Sequence, residues 1–220
     1  MDNYQICSIE SYDAILFDFD GVLAECMNVK TEAFAQLFKQ FGENIVEKVV
    51  KHHIENGGIS RYKKIRYYYS KYLNKKLDEK EVNKIAQDFS KLVLERVIKS
   101  AWVTGAKEFL DKNFKKIDFY VASGTPQKEL DLIIEKRDMD KYFKKVYGTP
   151  LKKPDIIKKI IDNNKYDKRR ILFIGDSLSD FKAAKEVNVP FLARTTEDNL
   201  SLFSNLTLKI KDFSDLKLNL

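Results

Sequence analysis

Hydrophobic residues along the chain follow two rhythms. From Asp13 to Phe19 a short apolar run, Ile15-Leu16-Phe17, reads as a strand buried on both faces, and Gly21 breaks it. From Thr31 to Lys99 the spacing is helical, with predicted helices over Thr31 to Phe41, Glu43 to His53, Ser60 to Leu73 and Asp78 to Ile98. Glu55-Asn56-Gly57-Gly58 breaks this stretch once, and the segment from Asn74 to Glu79 breaks it again, with Asp78 as a cap. After Trp102 helix and strand alternate. Helices are predicted at Gly105 to Asn113, Gln127 to Arg137, Pro154 to Asn163 and Ser179 to Val187. Strands are predicted at Ile117 to Ala122, Lys145 to Tyr147, Arg170 to Ile174 and Pro190 to Ala193, and a last apolar run covers Leu206 to Ile210. Such alternation predicts an α/β fold, a parallel sheet covered by helices on both faces. Residues 1–25 and 100–220 are expected to form that α/β domain and residues 26–99 an all-helical insertion after its first strand. The insertion would sit over the carboxyl end of the strand, the edge at which open α/β sheets bind ligands.

Composition narrows the function classes. The chain has 220 residues, 44% hydrophobic and 33% charged, which is a globular balance with enough chain to bury a full core. No apolar run approaches the ~18–20 residues of a membrane span. The first fifteen residues carry Asp2, Glu10 and Asp13 without Lys or Arg, so no secretory signal is visible and a cytoplasmic location is expected. Cys7 and Cys26 fit neither a disulfide framework nor paired metal-ligand spacing, and both are expected as free thiols. A formal charge of +7 is compatible with an anionic substrate, with nucleic acid, or with solvated lysines spread along the surface.

The chemistry concentrates at predicted strand ends. Side chains alternate along a strand, so in Asp18-Phe19-Asp20-Gly21 both carboxylates project one way while Phe17 and Phe19 turn to the other face. Ile174-Gly175-Asp176-Ser177-Leu178-Ser179-Asp180 delivers further carboxylates at another strand end, and together they make the oxygen-rich setting that suits Mg²⁺. Asp180 has a competing use at the start of the following helix. Ser123-Gly124-Thr125-Pro126 ends a strand with a hydroxyl, a glycine and a helix start, a combination of donors suited to an anion. Lys152-Lys153-Pro154 puts an ammonium just ahead of a second helix start.

In this order and spacing the four segments resemble the haloacid dehalogenase superfamily of phosphotransferases, in the branch with a helical cap that includes phosphoglycolate phosphatase and β-phosphoglucomutase. The resemblance covers essentially the whole chain and implies a Rossmann-like core. It implies Asp18 as nucleophile and carrier of an aspartyl-phosphate, and Asp20 as general acid and base. Mg²⁺ would be held by Asp18, the backbone carbonyl of Asp20 and Asp176, with Asp180 one step removed. Ser123, Gly124 and a lysine would hold the phosphoryl oxygens. Lys153 abuts the helix start and is favoured for that lysine, with Lys152 as the alternative.

Within the insertion, Gly57 to Lys64 resembles the stretch with which β-phosphoglucomutase-like caps reach toward substrate, making Arg61 the candidate contact, with Ser60 and Lys64 beside it. Tyr62, Ile65, Tyr69 and Tyr72 recur at helical spacing and read as a buried helix face, so the mixture of bases and rings is not read as a nucleic-acid surface. His52 and His53 lack a metal partner at a suitable spacing and read as ordinary cap residues, and Cys26 as a small packed residue. The expected activity is Mg²⁺-dependent hydrolysis of a small soluble phosphomonoester, a sugar phosphate or a phosphoglycolate-like compound. A phosphomutase, and a catalytically silent binding module on the same fold, are the alternatives. The expected partner is a small phosphorylated metabolite, with no nucleic acid and no membrane, for a monomer or homodimer.

Overall fold

A computed structural model describes residues 9–205 and 207–216. Cys7 and Leu206 lie outside the described residues. Six strands, β1 (Ala14–Phe17), β2 (Asp118–Pro126), β3 (Lys145–Thr149), β4 (Ile171–Gly175), β5 (Phe191–Arg194) and β6 (Lys209–Ile210), form one sheet in the order β3-β2-β1-β4-β5-β6. Every pairing is parallel, with Phe17 opposite Val121 on one side and Ile174 on the other. The helices are α1 (Met27–Phe38), α2 (Glu43–Glu55), α3 (Arg61–Tyr72), α4 (Glu79–Ile98), α5 (Ala106–Asn113), α6 (Gln127–Lys136), α7 (Lys153–Asn164) and α8 (Leu178–Val187). The first four intervene between β1 and the rest of the sheet, so the chain is an α/β fold with a helical insert after its first strand.

Strand alternation divides the core. Ile15, Phe17 and Phe19 belong to the larger apolar cluster, whereas Ala14 and Leu16 face the cluster built with Ile156, Ile157 and Ile160 of α7 and Ala183 and Ala184 of α8. On the first face Phe17 meets Phe119 edge-on at 5.2 Å between centroids, the preferred arrangement for paired rings. The chain leaves the sheet at Ala24 and returns at Trp102, and these residues pair in antiparallel fashion. Glu25 N donates to the Ala101 carbonyl and Val103 N to that of Leu23, so the two crossings to the insert run side by side.

Several boundaries differ from the sequence reading. The first strand is shorter, because Asp18 leaves the ladder to turn its carboxylate toward the site, although its N–H still donates to the Ile174 carbonyl at 2.9 Å. β2 runs four residues further, to Pro126. The last apolar run yields only the two-residue β6. In α3 the fully buried stripe is Arg61, Lys64, Ile65 and Tyr68, while Tyr62, Tyr69 and Tyr72 are only half-buried. The stripe keeps helical spacing but is rotated, because two of its members are cations that an apolar pattern passes over. No helix among the described residues is long and apolar enough to cross a membrane.

Candidate active site

The carboxyl ends of β1, β2 and β4 converge on one point at the sheet edge. Asp18, Asp176 and Asp180 offer carboxylate oxygens that all lie within 4.8 Å of one another, and all three side chains are buried. Gly21, at φ 73, lets the chain turn directly after Asp20; a Cβ there would stand 2.2 Å from Asp176 Oδ2, so both the turn and the close approach require glycine. Lys153, the first residue of α7, donates to Asp18 Oδ2 at 2.8 Å and to Asp180 Oδ1. Lys152, at the N-cap position of α7, is exposed, so of the two lysines it is Lys153 that reaches these carboxylates.

Asp180 is occupied twice over. Besides Lys153, its Oδ2 accepts from the Ser177 hydroxyl at 2.6 Å in a capping box that starts α8. The Asp176 carboxylate, by contrast, has neither a hydrogen bond nor an ion pair among the described residues; only its backbone carbonyl is held, by Asn199 Nδ2 at 2.8 Å. Burial pushes Asp18 up to about 7, against the pull of Lys153 and with the repulsion of Asp180 and Asp20. Burial also pushes Asp176 well above the usual carboxylate range, and Asp18 and Asp180 add to it. Full ionisation of the cluster would give it more negative charge than its lysine balances. Hard oxygen donors in excess, one of them unpartnered, fit a divalent cation such as Mg²⁺, with Asp18 and Asp176 as its side-chain ligands.

Asp20 sits apart from this cluster. Burial acts to raise it, but Lys30, with Nζ at 2.5 Å, and hydrogen bonds from Cys26, Lys30 and Thr125 together hold it below the usual carboxylate range. The Cys26 thiol donates at 2.9 Å and Thr125 Oγ1 at 3.2 Å. The Ser123 hydroxyl stands 3.5 Å from Asp20 Oδ2 and accepts from the Thr125 N–H at 3.1 Å. Lys30 and Thr125 were not anticipated. Thr125 follows from the alternation that aligned Asp18 with Asp20, since Ser123 and Thr125 are likewise two apart on one strand, whereas nothing local marks Lys30.

The insert closes the site from above. The Ser179 hydroxyl donates to the Gly57 carbonyl at 3.0 Å, and a Cβ on Gly58, at φ 70, would stand 2.4 Å from Ser179 Oγ. Gly124 faces the same loop, with the Gly58 carbonyl 2.6 Å from where its Cβ would be. Between them remains a cavity of about 40 Å³ whose walls include Asp20, Lys30, His53, Arg61, Lys64 and Thr125. Arg61, the expected substrate contact, lines this cavity, with its guanidinium already engaged. Its guanidinium makes a two-point ion pair with Glu129 on α6, at 2.6 and 2.9 Å, donates to Ser90 at 2.6 Å, and stacks 4.6 Å from the Phe89 ring centroid. Ser60 is half-buried at the N-cap position of α3, with no capping hydrogen bond from its side chain, and Lys64 is buried against His53.

A family model described as haloacid dehalogenase-like hydrolase matches residues 15–194. The chain belongs to that family. Solved structures agree in fold across nearly the whole chain. A β-phosphoglucomutase from Clostridium difficile is 18% identical, with 94% of this chain and 93% of that one covered and a TM-score of 0.74. A predicted phosphoglycolate phosphatase from Haemophilus somnus is 19% identical, covering 94% and 96%, with a TM-score of 0.72. The HAD-hydrolase YfnB from Bacillus subtilis, in a form bound to magnesium, is 16% identical, covering 95% and 99%, with a TM-score of 0.71. No curated protein matches the sequence. At these identities the likeness shows the fold, and this hydrolase is read from its own residues.

Proposed function

We propose that this family member hydrolyses small phosphate monoesters by transferring the phosphoryl group to Asp18. One observation carries the reading. Asp18 is buried, held by Lys153 at 2.8 Å, and separated by one residue from a second carboxylate, Asp20, that lines the cavity beneath the insert. In the first half-reaction an Asp18 oxygen bonds to phosphorus, the bond from phosphorus to the leaving oxygen breaks, and the Asp20 proton goes to that oxygen. In the second, water bonds to phosphorus, the bond to Asp18 breaks, and Asp20 takes the water proton. Ser123, the Gly124 N–H and Lys153 would hold the phosphoryl oxygens. Lys30 keeps Asp20 ionised before substrate arrives, the form the second half needs, and the incoming phosphate dianion raises its proton affinity for the first. Bound Mg²⁺, held by Asp18, the Asp20 carbonyl and Asp176, would supply the charge that offsets repulsion between a carboxylate nucleophile and a phosphate dianion.

The test is phosphate release from a panel of phosphomonoesters, with Mg²⁺ or with EDTA, comparing the native chain with Asp18→Asn. Release that needs both the metal and Asp18 supports the proposal, and undiminished release by Asp18→Asn contradicts it.

A further inference from the structure

Two arginines hold the crossings between core and insert, and they hold different things. Arg137, just past the end of α6, donates from Nη1 to the carbonyls of Val97 and Ile98 at 3.0 Å and of Ser100 at 2.7 Å, and its guanidinium lies 5.2 Å from the Trp102 ring centroid. All of these partners belong to the return crossing. Arg194, the last residue of β5, reaches the outward crossing from a buried position. It donates from Nη1 to the Gly21 carbonyl at 3.2 Å, pairs with Glu25 through Nη2 at 2.5 Å, and is aimed by a third bond, from Nε to the Lys211 carbonyl at 3.0 Å. Its guanidinium therefore brackets the turn from Gly21 to Glu25 at both ends.

That turn forms one side of the acidic cluster. Gly21 follows Asp20 directly and stands so close to Asp176 that a Cβ would collide with the Asp176 Oδ2. The Gly21 N–H donates to the Ala24 carbonyl at 2.9 Å, and in a trans peptide the Asp20 carbonyl must point the opposite way. With the Gly21 carbonyl held by Arg194, both peptides of the turn are fixed in direction. The other side of the cluster is tied to the same residue. Asn199 Nδ2 donates to the Asp176 carbonyl at 2.8 Å and to the Arg194 carbonyl at 3.2 Å, while Asn199 Oδ1 accepts from the Thr196 N–H at 2.7 Å. Arg194 grips the Gly21 turn with its side chain and, through Asn199, the Asp176 segment with its backbone.

We propose that Arg194 is a positioning residue for the metal, fixing the Asp20–Gly21 turn against Asp176 and so setting how tightly this edge of the sheet holds Mg²⁺. The inference rests on the phosphoryl-transfer reading, in which the Asp20 carbonyl and Asp176 both hold that ion. The chemistry of the contact requires arginine. A guanidinium has enough donors in one plane to reach Gly21, Glu25 and Lys211 together, and the Glu25 carboxylate balances its charge. A lysine can replace one of those bonds but not the fork. Groups that hold a metal ligand from behind change metal affinity by about 10–100-fold when removed, because they fix the direction of the ligand.

The probe is Mn²⁺, which suits the same oxygen ligands as Mg²⁺ and is counted free in solution by electron paramagnetic resonance, so binding is read without substrate. The Mn²⁺ lost in Asp176→Asn marks the ion held at this edge. Arg194→Met should weaken that binding by about 10–100-fold. Arg194→Lys, with one donor left, should weaken it by roughly threefold, and it decides the matter if circular dichroism shows Arg194→Met unfolded. Arg137→Met, which loosens only the return crossing, should lower the melting temperature yet bind Mn²⁺ as the native chain does. Native affinity in the folded Arg194 variants, or an equal loss in Arg137→Met, overturns the proposal while leaving phosphoryl transfer standing. Absence of Mn²⁺ binding by the native chain overturns the proposal together with the part of the metal in that reading.

Discussion

On the core wall of the site, Asp18, Asp176 and Asp180 gather three buried carboxylates with one lysine, Lys153, and Asp20 stands apart from them. The insert wall presents Lys30, Arg61 and Lys64 to the same cavity, with no acid of its own among the residues that line it. The two walls are complementary by sign. Lys30 crosses to Asp20, and Arg61 crosses to Glu129 on a core helix. Closing the insert over the core therefore pairs two of its three cations with the core's acids. Opposite charge across the gap docks the insert on the core.

The sharpest way to break this comparison is to disable one wall and ask whether the other still functions. Asp18→Asn should lower kcat on the order of 10⁴–10⁶-fold. It removes one of several crowded carboxylates, so the protein should melt no lower than the native chain; circular dichroism and phosphate release measure the two effects. Asp20→Asn should lower kcat by about 10²–10⁴-fold. Lys30→Met should cost less, but it removes the cation that holds Asp20 down. The acid limb of the pH–rate profile, below which Asp20 is protonated, should then move to higher pH, and an unmoved limb would mean that Lys30 does not control Asp20.

The core wall was legible because its chemistry follows from strand geometry. Asp18 and Asp20 share a side through the two-residue period, and apolar strands ending in Gly-Asp or Ser-Gly announce the sheet edge. Lys153 was separable from Lys152 only by its place at the start of α7. The insert wall was less legible because helix faces are found by apolar periodicity. That rule chose Tyr62, Ile65, Tyr69 and Tyr72, whereas Arg61 and Lys64 share the buried stripe with Ile65 and Tyr68. Arg61 is buried there because Glu129, at a separation of 68, receives it, and Lys64 because His53, on the preceding helix, accepts from it. No local signal carries that information, and it is also why His53, at the cavity wall, read as an ordinary cap residue.

Two smaller effects sharpen the contrast between a paired and an unpaired buried cation. Glu129→Ala leaves Arg61 buried without its partner and should cost about 3–5 kcal/mol of stability. Arg61→Met combined with Glu129→Met should recover most of that loss, with denaturant melts as the measurement. For Lys64 the sign reverses, because the fold holds it at about 7 and unfolding returns it to its ordinary value of 10.5. Between those values the unfolded chain binds more protons, so this group makes native stability rise with pH, and below about 7 its full penalty remains. Lys64→Met should therefore stabilise the protein most near pH 7, with the advantage shrinking toward pH 10. A constant difference across that range would mean that Lys64 is not a penalised cation.

The central claim is that Asp18 carries the phosphoryl group, and trapping it there is the most direct test. Acid quenching within the first turnover, using an ester labelled in its phosphate, should leave label on the native chain, with the labelled peptide containing Asp18. Asp18→Asn should retain none. Phosphate release at the native rate with no label on the protein, or label at another residue, would contradict the account.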